Sequence, residues 1–329
     1  MVQCVLDAER PAGGIELIVV DGMSDDGTRE ILSQLGSEHQ PLIRILDNPS
    51  KAVPHAMNLA IREAAGKIIV RLDAHTYYEK DYIRQCVDWL EKSGADNVGG
   101  VLLAEPSEDT FLGRALSRAV CHPFGSGNAH HKTGVVTEPR EVDTVAFGCF
   151  RRELFDRIGF FREDLARSSD MEFNIRVRRM GGRILLVPAI RSHYQVRSRL
   201  KRVIPYYFSN GFWVLFPLKF GATAFKLRHL VPFFFVAWLL VFGTLAFFLP
   251  AARFAFLAAV AAYLFCAFVS GLHVALRERR AEFTLTLPAA FSLGHVVQGL
   301  GSLYAGACLL LELILPARMF RKATPDARV

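Results

Sequence analysis

From residue 230 onward the chain carries three apolar stretches, 230–249, 254–276 and 283–315, and these constrain the rest of the molecule more than any other feature. A helix that crosses the hydrocarbon of a bilayer needs about 20 apolar residues. Runs such as Phe233-Phe234-Phe235-Val236-Ala237-Trp238-Leu239-Leu240 have no polar side, whereas a helix on a water-soluble protein keeps one face for solvent. Residues 1–202 mix charged and apolar positions as a soluble domain does. The sequence therefore reads as two parts suited to two solvents.

Basic residues next to the spans set the expected orientation. Arg197, Arg199, Lys201, Arg202, Lys219, Lys226 and Arg228 precede the first stretch, Arg253 alone lies between the first and second, and Arg277, Arg279 and Arg280 follow the second. This predicts a multi-pass protein of the inner (plasma) membrane with its soluble domain in the cytoplasm. Arg318, Arg321, Lys322 and Arg328 would fall on the opposite side if the third stretch crossed once. Either the rule fails there or that stretch, containing Gly294, Gly299 and Gly301, does not cross simply.

Between the two parts, Tyr206, Tyr207, Phe208, Phe212, Trp213 and Phe216 alternate with Lys and Arg. Such a segment suits a helix lying in the headgroup layer, or a linker packed on the soluble domain. The net charge of +7 belongs largely to residues flanking the spans, where anionic headgroups attract them, so nucleic acid is not expected as a partner. Six cysteines, Cys4, Cys86, Cys121, Cys149, Cys266 and Cys308, show no paired spacing. That fits a reducing compartment and argues against a zinc site.

In the soluble part, Ile15-Glu16-Leu17-Ile18-Val19-Val20 reads as a strand ending at Asp21-Gly22, followed by a polar turn and a helix. Residues 42–46 and 67–72 give two more strands, separated by a helix over residues 56–65. Alternating strands and helices predict a parallel sheet covered on both faces, with ligands beyond the carboxyl ends of the strands. Asp21 and Asp73 stand at two such ends. Each alone would pass for a turn or cap residue; together they indicate a site.

Asp73-Ala74-His75 places a carboxylate and an imidazole two positions apart at a strand end, a donor pair that suits Mn2+ as well as Mg2+. Residues 145–150 and 184–188 read as further strands, and residues 151–158 and a segment ending at Gly181-Gly182 as helices. Ser169 and Glu172 have the spacing of a capping box. Asp170, in the same first turn, complements the helix dipole or takes a proton from an acceptor hydroxyl; the two readings are compatible. His193 follows a strand and is read either as a structural histidine or as a third metal ligand.

These residues together resemble glycosyltransferase family 2, with its α/β GT-A fold. Val19-Val20-Asp21-Gly22-Met23-Ser24-Asp25-Asp26-Gly27-Thr28 is similar to the family's nucleotide-binding strand and turn, and Asn48 with residues 51–58 to its next nucleotide-contacting stretch. Ile69-Val70-Arg71-Leu72-Asp73-Ala74-His75 is similar to its metal-binding strand, and Ser169-Asp170-Met171-Glu172 to the segment that carries its catalytic base. Ser209-Asn210-Gly211-Phe212-Trp213 resembles, loosely, the aromatic motif on the acceptor side.

The resemblance implies Asp170 as base, and Asp21, Asn48, Lys51, Asn58, Arg71 and Asp73 at the nucleotide-sugar donor. It implies a divalent cation at Asp73, His75 and His193, and Gly148, Glu172 and Trp213 on the acceptor side. The implied activity is inverting transfer of a hexose, glucose foremost, from a UDP-sugar to a lipid-linked glycan acceptor in exopolysaccharide biosynthesis. The alternatives are transfer to a polyprenyl phosphate, or an inactive membrane scaffold.

Three regions are expected: a GT-A domain over residues 1–196, a basic and aromatic segment over 197–228, and a membrane domain over 229–329. The carboxylates of Asp21, Asp73 and Asp170 are expected to converge at one rim. Members of the family begin with an apolar strand ahead of residues 1–8, which here read as the end of the following helix. Open apolar sheet edges are therefore expected.

Overall fold

The computed structural model describes residues 1–127, 129–133 and 136–314. Arg318, Arg321, Lys322 and Arg328, which bear on the side of the C terminus, lie outside the described residues. Contacts divide the chain into two compact units, one of residues 1–102 and 134–193, the other of 103–133 and 194 onward. The expected continuous domain over residues 1–196 is thus corrected: an internal excursion, 103–133, leaves the first unit and joins the helices.

The strands are β1 (Leu17–Asp21), β2 (Ile43–Asp47), β3 (Ile68–Val70), β4 (Thr76–Tyr78), β5 (Asn97–Pro106), β6 (Arg140–Glu141), β7 (Cys149–Arg151) and β8 (Ile184–Val196). Helices interleaved with them are α1 (Val2–Leu6), α2 (Thr28–Glu38), α3 (Val53–Glu63), α4 (Tyr82–Ser93), α5 (Phe111–Cys121), α6 (Pro123–Ser126), α7 (His130–Thr133), α8 (Glu153–Ile158) and α9 (Ser169–Arg179). After β8 come α10 (Leu200–Leu215), α11 (Val231–Leu245), α12 (Pro250–Glu278) and α13 (Phe283–Ile314).

In the first unit the expected parallel sheet is only partly present. β1 and β2 are parallel, in register from Leu17 opposite Ile43 to Asp21 opposite Asp47. The remaining strands form a second sheet in the order β3-β7-β5-β8-β4, with β6 on β8, and β7 runs antiparallel to both β3 and β5. The sheet is therefore mixed and in two pieces. Among the described residues, the end strands β1 and β2 of one sheet and β3 and β4 of the other each leave one edge unpaired.

One apolar cluster nevertheless serves both pieces, joining Leu17 and Ile43 to Tyr82, Leu90, Val98, Cys149 and Val187, with Ile68 and Val70 packed against it. Helix α4 shows how the sequence builds this core. Its buried Tyr82, Ile83, Cys86 and Leu90 follow helical spacing, and Gly94 ends it in the left-handed conformation with φ 64°. Burying a side chain the size of Leu90 stabilises by roughly 1.5–3 kcal/mol. On β5, a Cβ at Gly100 would meet the Ile190 carbonyl oxygen at 2.0 Å, so only glycine lets these backbones approach.

The second unit is helical. Three segments, Leu227–Leu245, Pro250–Glu278 and Phe283–Glu312, are long and apolar enough to cross a membrane. Gly294, Gly299 and Gly301 do not interrupt α13, which runs on from Phe283 to Ile314; they are contact points. A Cβ on Gly301 would lie 2.1 Å from the Phe208 carbonyl oxygen, and one on Gly211 1.8 Å from that of Gln298.

Helix α10 is therefore pressed along α13, with Phe212 and Trp213 buried. Phe212 and Trp213 thus fill a helix interface, because small residues on the two helices let the backbones close. Helix α5 joins the same unit. Its Ala115, Leu116 and Ala119 pack with Phe283, Leu287, Ala290 and Phe291, and Arg114 and Arg118 pair with Glu282 and Glu278, each at 2.7 Å.

Candidate active site

At the carboxyl ends of β1 and β2, Asp21 and Asp47 stand opposite each other in register. Like charges directly opposite on paired strands repel. Arg29, in the first turn of α2, resolves this by donating to Asp21 Oδ2 and Asp47 Oδ1, both at 2.8 Å. Asp21 is buried and also accepts from Ser24, from its N–H at 3.0 Å and its hydroxyl at 2.6 Å. Burial pushes the Asp21 carboxyl up, but the bonds from Ser24 and Arg29 outweigh it and hold the group below its ordinary range.

Asn48 and Lys51 come to the same place. Asn48 N–H donates to the Asp21 carbonyl at 2.8 Å, and Lys51 N–H to the Asn48 carbonyl at 3.0 Å. Lys51 adopts φ 59°, and its Cα would lie 3.7 Å from a Cβ on Gly22. The two turns after β1 and β2 thus stack backbone on backbone, an arrangement of polar main chain and lysine suited to a nucleotide.

Because a depressed carboxylate pKa stabilises the fold above the unfolded value and the gain is lost as pH falls through the folded one, Ser24 carries a testable consequence. Ser24→Ala is expected to cost roughly 1.5–3 kcal/mol at neutral pH, the worth of a hydrogen bond to a buried charged group. The difference should shrink as pH falls through the folded carboxyl's titration, which lies below the ordinary aspartate range. Thermal melts of both chains at pH 7 and pH 3 check this; an undiminished gap at the lower pH would disprove it.

A second group forms where β3 ends. The Arg71 N–H donates to the Gly148 carbonyl at 3.0 Å, and its guanidinium forms an ion pair with Asp170 Oδ1 in the first turn of α9. The Arg71 side chain is 10% exposed and that of Asp170 45%. Two residues on, the Asp73 N–H donates to the Tyr78 hydroxyl at 2.6 Å, while Asp73 Oδ1 and His75 Nδ1 lie 3.9 Å apart. The His75 side chain and then the Arg71 charge hold the Asp73 carboxyl below its ordinary range, against partial burial.

Asp73 and Asp170 are therefore brought together through Arg71, while Asp21 belongs to the separate network with Ser24, Arg29 and Asp47. In place of one rim there are two groups of contacts, one around Asp21 and one around Arg71. The Asp73–His75 pair fits a divalent cation as an open, two-donor site. His193 does not join it: its Nε2 faces Glu79 at 3.7 Å, and among the described residues no three His, Cys, Asp or Glu side chains cluster as metal ligands.

Other expected site residues are placed differently. Asn58 is turned inward on α3, where its amide donates to the Phe161 carbonyl and Glu163, each at 2.8 Å, and accepts from the Phe161 N–H at 2.9 Å. It clasps the loop before α9 and has little left to offer a nucleotide. Glu172 is buried in a two-pronged bond to Arg176, at 2.7 and 2.9 Å, instead of closing a capping box or facing an acceptor. Trp213 is buried in the helical unit against Phe212 and Phe216.

Gly148 acts through its backbone. It sits at φ 87°, and a Cβ there would strike the Phe150 ring at 2.4 Å. Arg29 and Tyr78 were not foreseen. Tyr78 alone left a trace in the sequence, as the inward residue of the alternation Thr76-Tyr77-Tyr78, where Tyr77 is exposed.

The chain thus joins an α/β domain with carboxylates at its strand ends to helices long and apolar enough to cross a membrane. Residues 1–159 match the family model described as "Glycosyl transferase family 2".

Among curated relatives, "Succinoglycan biosynthesis protein ExoA" of Rhizobium meliloti (strain 1021) is 32% identical over 59% of this chain, and the match spans 58% of that relative's length. The "Dolichyl N-acetyl-alpha-D-glucosaminyl phosphate 3-beta-D-2,3-diacetamido-2,3-dideoxy-beta-D-glucuronosyltransferase" of Methanococcus voltae is 23% identical over 71% of this chain and 70% of its own. The solved "Mannosyltransferase PcManGT from Pyrobaculum calidifontis in complex with GDP-Man and Mn2+" shares the fold, with a TM-score of 0.57 and 20% identity over 91% of this chain and 81% of that one.

Proposed function

We propose that the chain transfers a hexose, glucose foremost, from a UDP-sugar to a lipid-linked oligosaccharide in exopolysaccharide biosynthesis, inverting the anomeric centre. The observation that carries this reading is the pairing of Asp170 with Arg71 beside the Asp73 turn. It sets a half-exposed carboxylate against an arginine two residues before the strand-end Asp73, where a donor diphosphate would lie. Relatives named for succinoglycan biosynthesis and for transfer to a dolichyl-linked sugar support the substrate class.

In this reading the turns bearing Asp21, Asn48 and Lys51 hold the nucleotide. Asp73 and His75 would hold a Mn2+ or Mg2+ ion, which supplies charge neutralisation to the departing diphosphate. Asp170 takes the proton of the acceptor hydroxyl as that oxygen attacks the anomeric carbon from the face opposite the leaving group. The helices keep the enzyme at the bilayer. Arg114 and Arg118 tie the α12–α13 turn to the polar side of α5. With Arg277, Arg279 and Arg280 on that turn, this supports a cytoplasmic soluble domain in a multi-pass inner-membrane protein.

Membranes containing the full chain should bind UDP in the presence of Mn2+ and pass label from radiolabelled UDP-glucose into an extractable lipid fraction. Label appearing on a polyprenyl phosphate instead of a larger glycolipid would select the simpler acceptor. Absence of both UDP binding and transfer would leave the scaffold reading in place of the enzyme.

A further inference from the structure

We infer that Arg71 is a positioning residue, the buried strut that fixes the base carboxylate of Asp170 to the Asp73 turn, and not a ligand of the nucleotide phosphates. The inference rests on the proposed transferase reading and deepens it. An arginine at a strand end beside a diphosphate site would ordinarily be taken for a phosphate clamp.

Here its surroundings differ. Its N–H is fixed by the Gly148 carbonyl, its side chain is 10% exposed, and its guanidinium is engaged by Asp170 and lies within the electrostatic reach of Asp73. The two carboxylates are 97 positions apart in sequence, and this one side chain links the strand end that carries one to the helix start that carries the other.

The arrangement has a chemical consequence. Asp170 reaches Arg71 through Oδ1, so Oδ2 is the oxygen through which the carboxylate takes a proton from the acceptor. A planar guanidinium fixes the orientation of a carboxylate as an ammonium cannot. Misplacing a reacting group by about 1 Å costs on the order of 100-fold in rate.

The test uses the full chain in membranes or detergent micelles, comparing Arg71→Met, Arg71→Lys, Asp170→Asn and the double variant Arg71→Met/Asp170→Asn. Transfer of label from UDP-glucose should fall about 100-fold in Arg71→Met and by less in Arg71→Lys, while the affinity for UDP with Mn2+ stays within about twofold. The double variant should transfer no more slowly than Asp170→Asn alone. Melting shifts of the two single variants should be non-additive, as for groups in contact.

A tenfold loss of UDP affinity in Arg71→Met, with Arg71→Lys retaining it, would make Arg71 a nucleotide ligand and overturn the inference, as would losses that multiply in the double variant. Should the parent chain transfer nothing, the transferase reading fails. The melting cycle then decides alone: coupled shifts keep Arg71 as the holder of Asp170, and additive shifts remove it.

Discussion

Asp170→Asn is expected to lower sugar transfer by about 100- to 10,000-fold, the range over which a positioned general base acts, with UDP affinity unchanged. A base acts where the hydroxyl proton is moving, so its loss appears in the transition state and not in ground-state binding of the donor. Asparagine is a better probe than alanine here. It keeps an oxygen for the Arg71 guanidinium, whereas alanine would leave that buried cation without the partner that now meets it and would mix a folding defect into the rate. A melting temperature lowered only by the weakened Arg71 pair, together with lost transfer, is the expected pair of results. A variant that transfers at the parental rate would remove Asp170 from the mechanism.

The part of the site that was legible in sequence is the part made by neighbours along the chain. Asp21 and Asp73 stand at the ends of short branched apolar runs, and β1, α2, β2 and α3 lie within a few residues of where the pattern put them. Asp170 could be placed at a helix start for the same reason. What joins these groups is not local. Arg71 meets Asp170 across 99 positions and Arg29 meets Asp47 across 18, and no periodicity records such a choice of partner. Asn58 shows the converse: it lies in a motif-like stretch, yet the fold turns its amide towards Phe161, 103 positions away.

The mixed sheet was hidden for a different reason. β5 contains Gly99-Gly100: β8 passes too close to Gly100 for a Cβ, at Ile190, and Val145 with the Ala146 carbonyl lies too close to Gly99. β8 contains Pro188, which argues against a long strand, yet it runs for 13 residues. Both strands break local propensity in favour of a tertiary approach. In the helical unit, hydropathy gave the lengths of the three long segments, because bilayer thickness dictates them. It could not give the burial of α10, whose glycine-lined contact with α13 joins residues far apart in the chain.

That contact leads to the second large effect. Gly301→Leu is expected to separate α10 from α13 and leave the helical unit unable to hold its native packing. The side chain would have to pass through the Phe208 carbonyl, 2.1 Å from the position of its Cβ, with the Phe212 N–H at 3.0 Å. Backbone atoms of two helices cannot yield as a side-chain tip can. The neighbouring Ser302 hydroxyl, which donates to the Gly211 carbonyl at 2.8 Å, would lose its partner as the helices part. Overpacking of this kind costs roughly 1–3 kcal/mol when a core can adjust, and more is expected here. Gly306→Ala serves as the control, because a Cβ there meets nothing nearer than 3.9 Å, and alanine in a helix is favoured over glycine by about 1 kcal/mol. Trypsin resistance and gel-filtration profile in mild detergent should be lost in Gly301→Leu and kept or improved in Gly306→Ala. If Gly301→Leu ran as the parent does, α10 would not lie against α13 as these backbone approaches require.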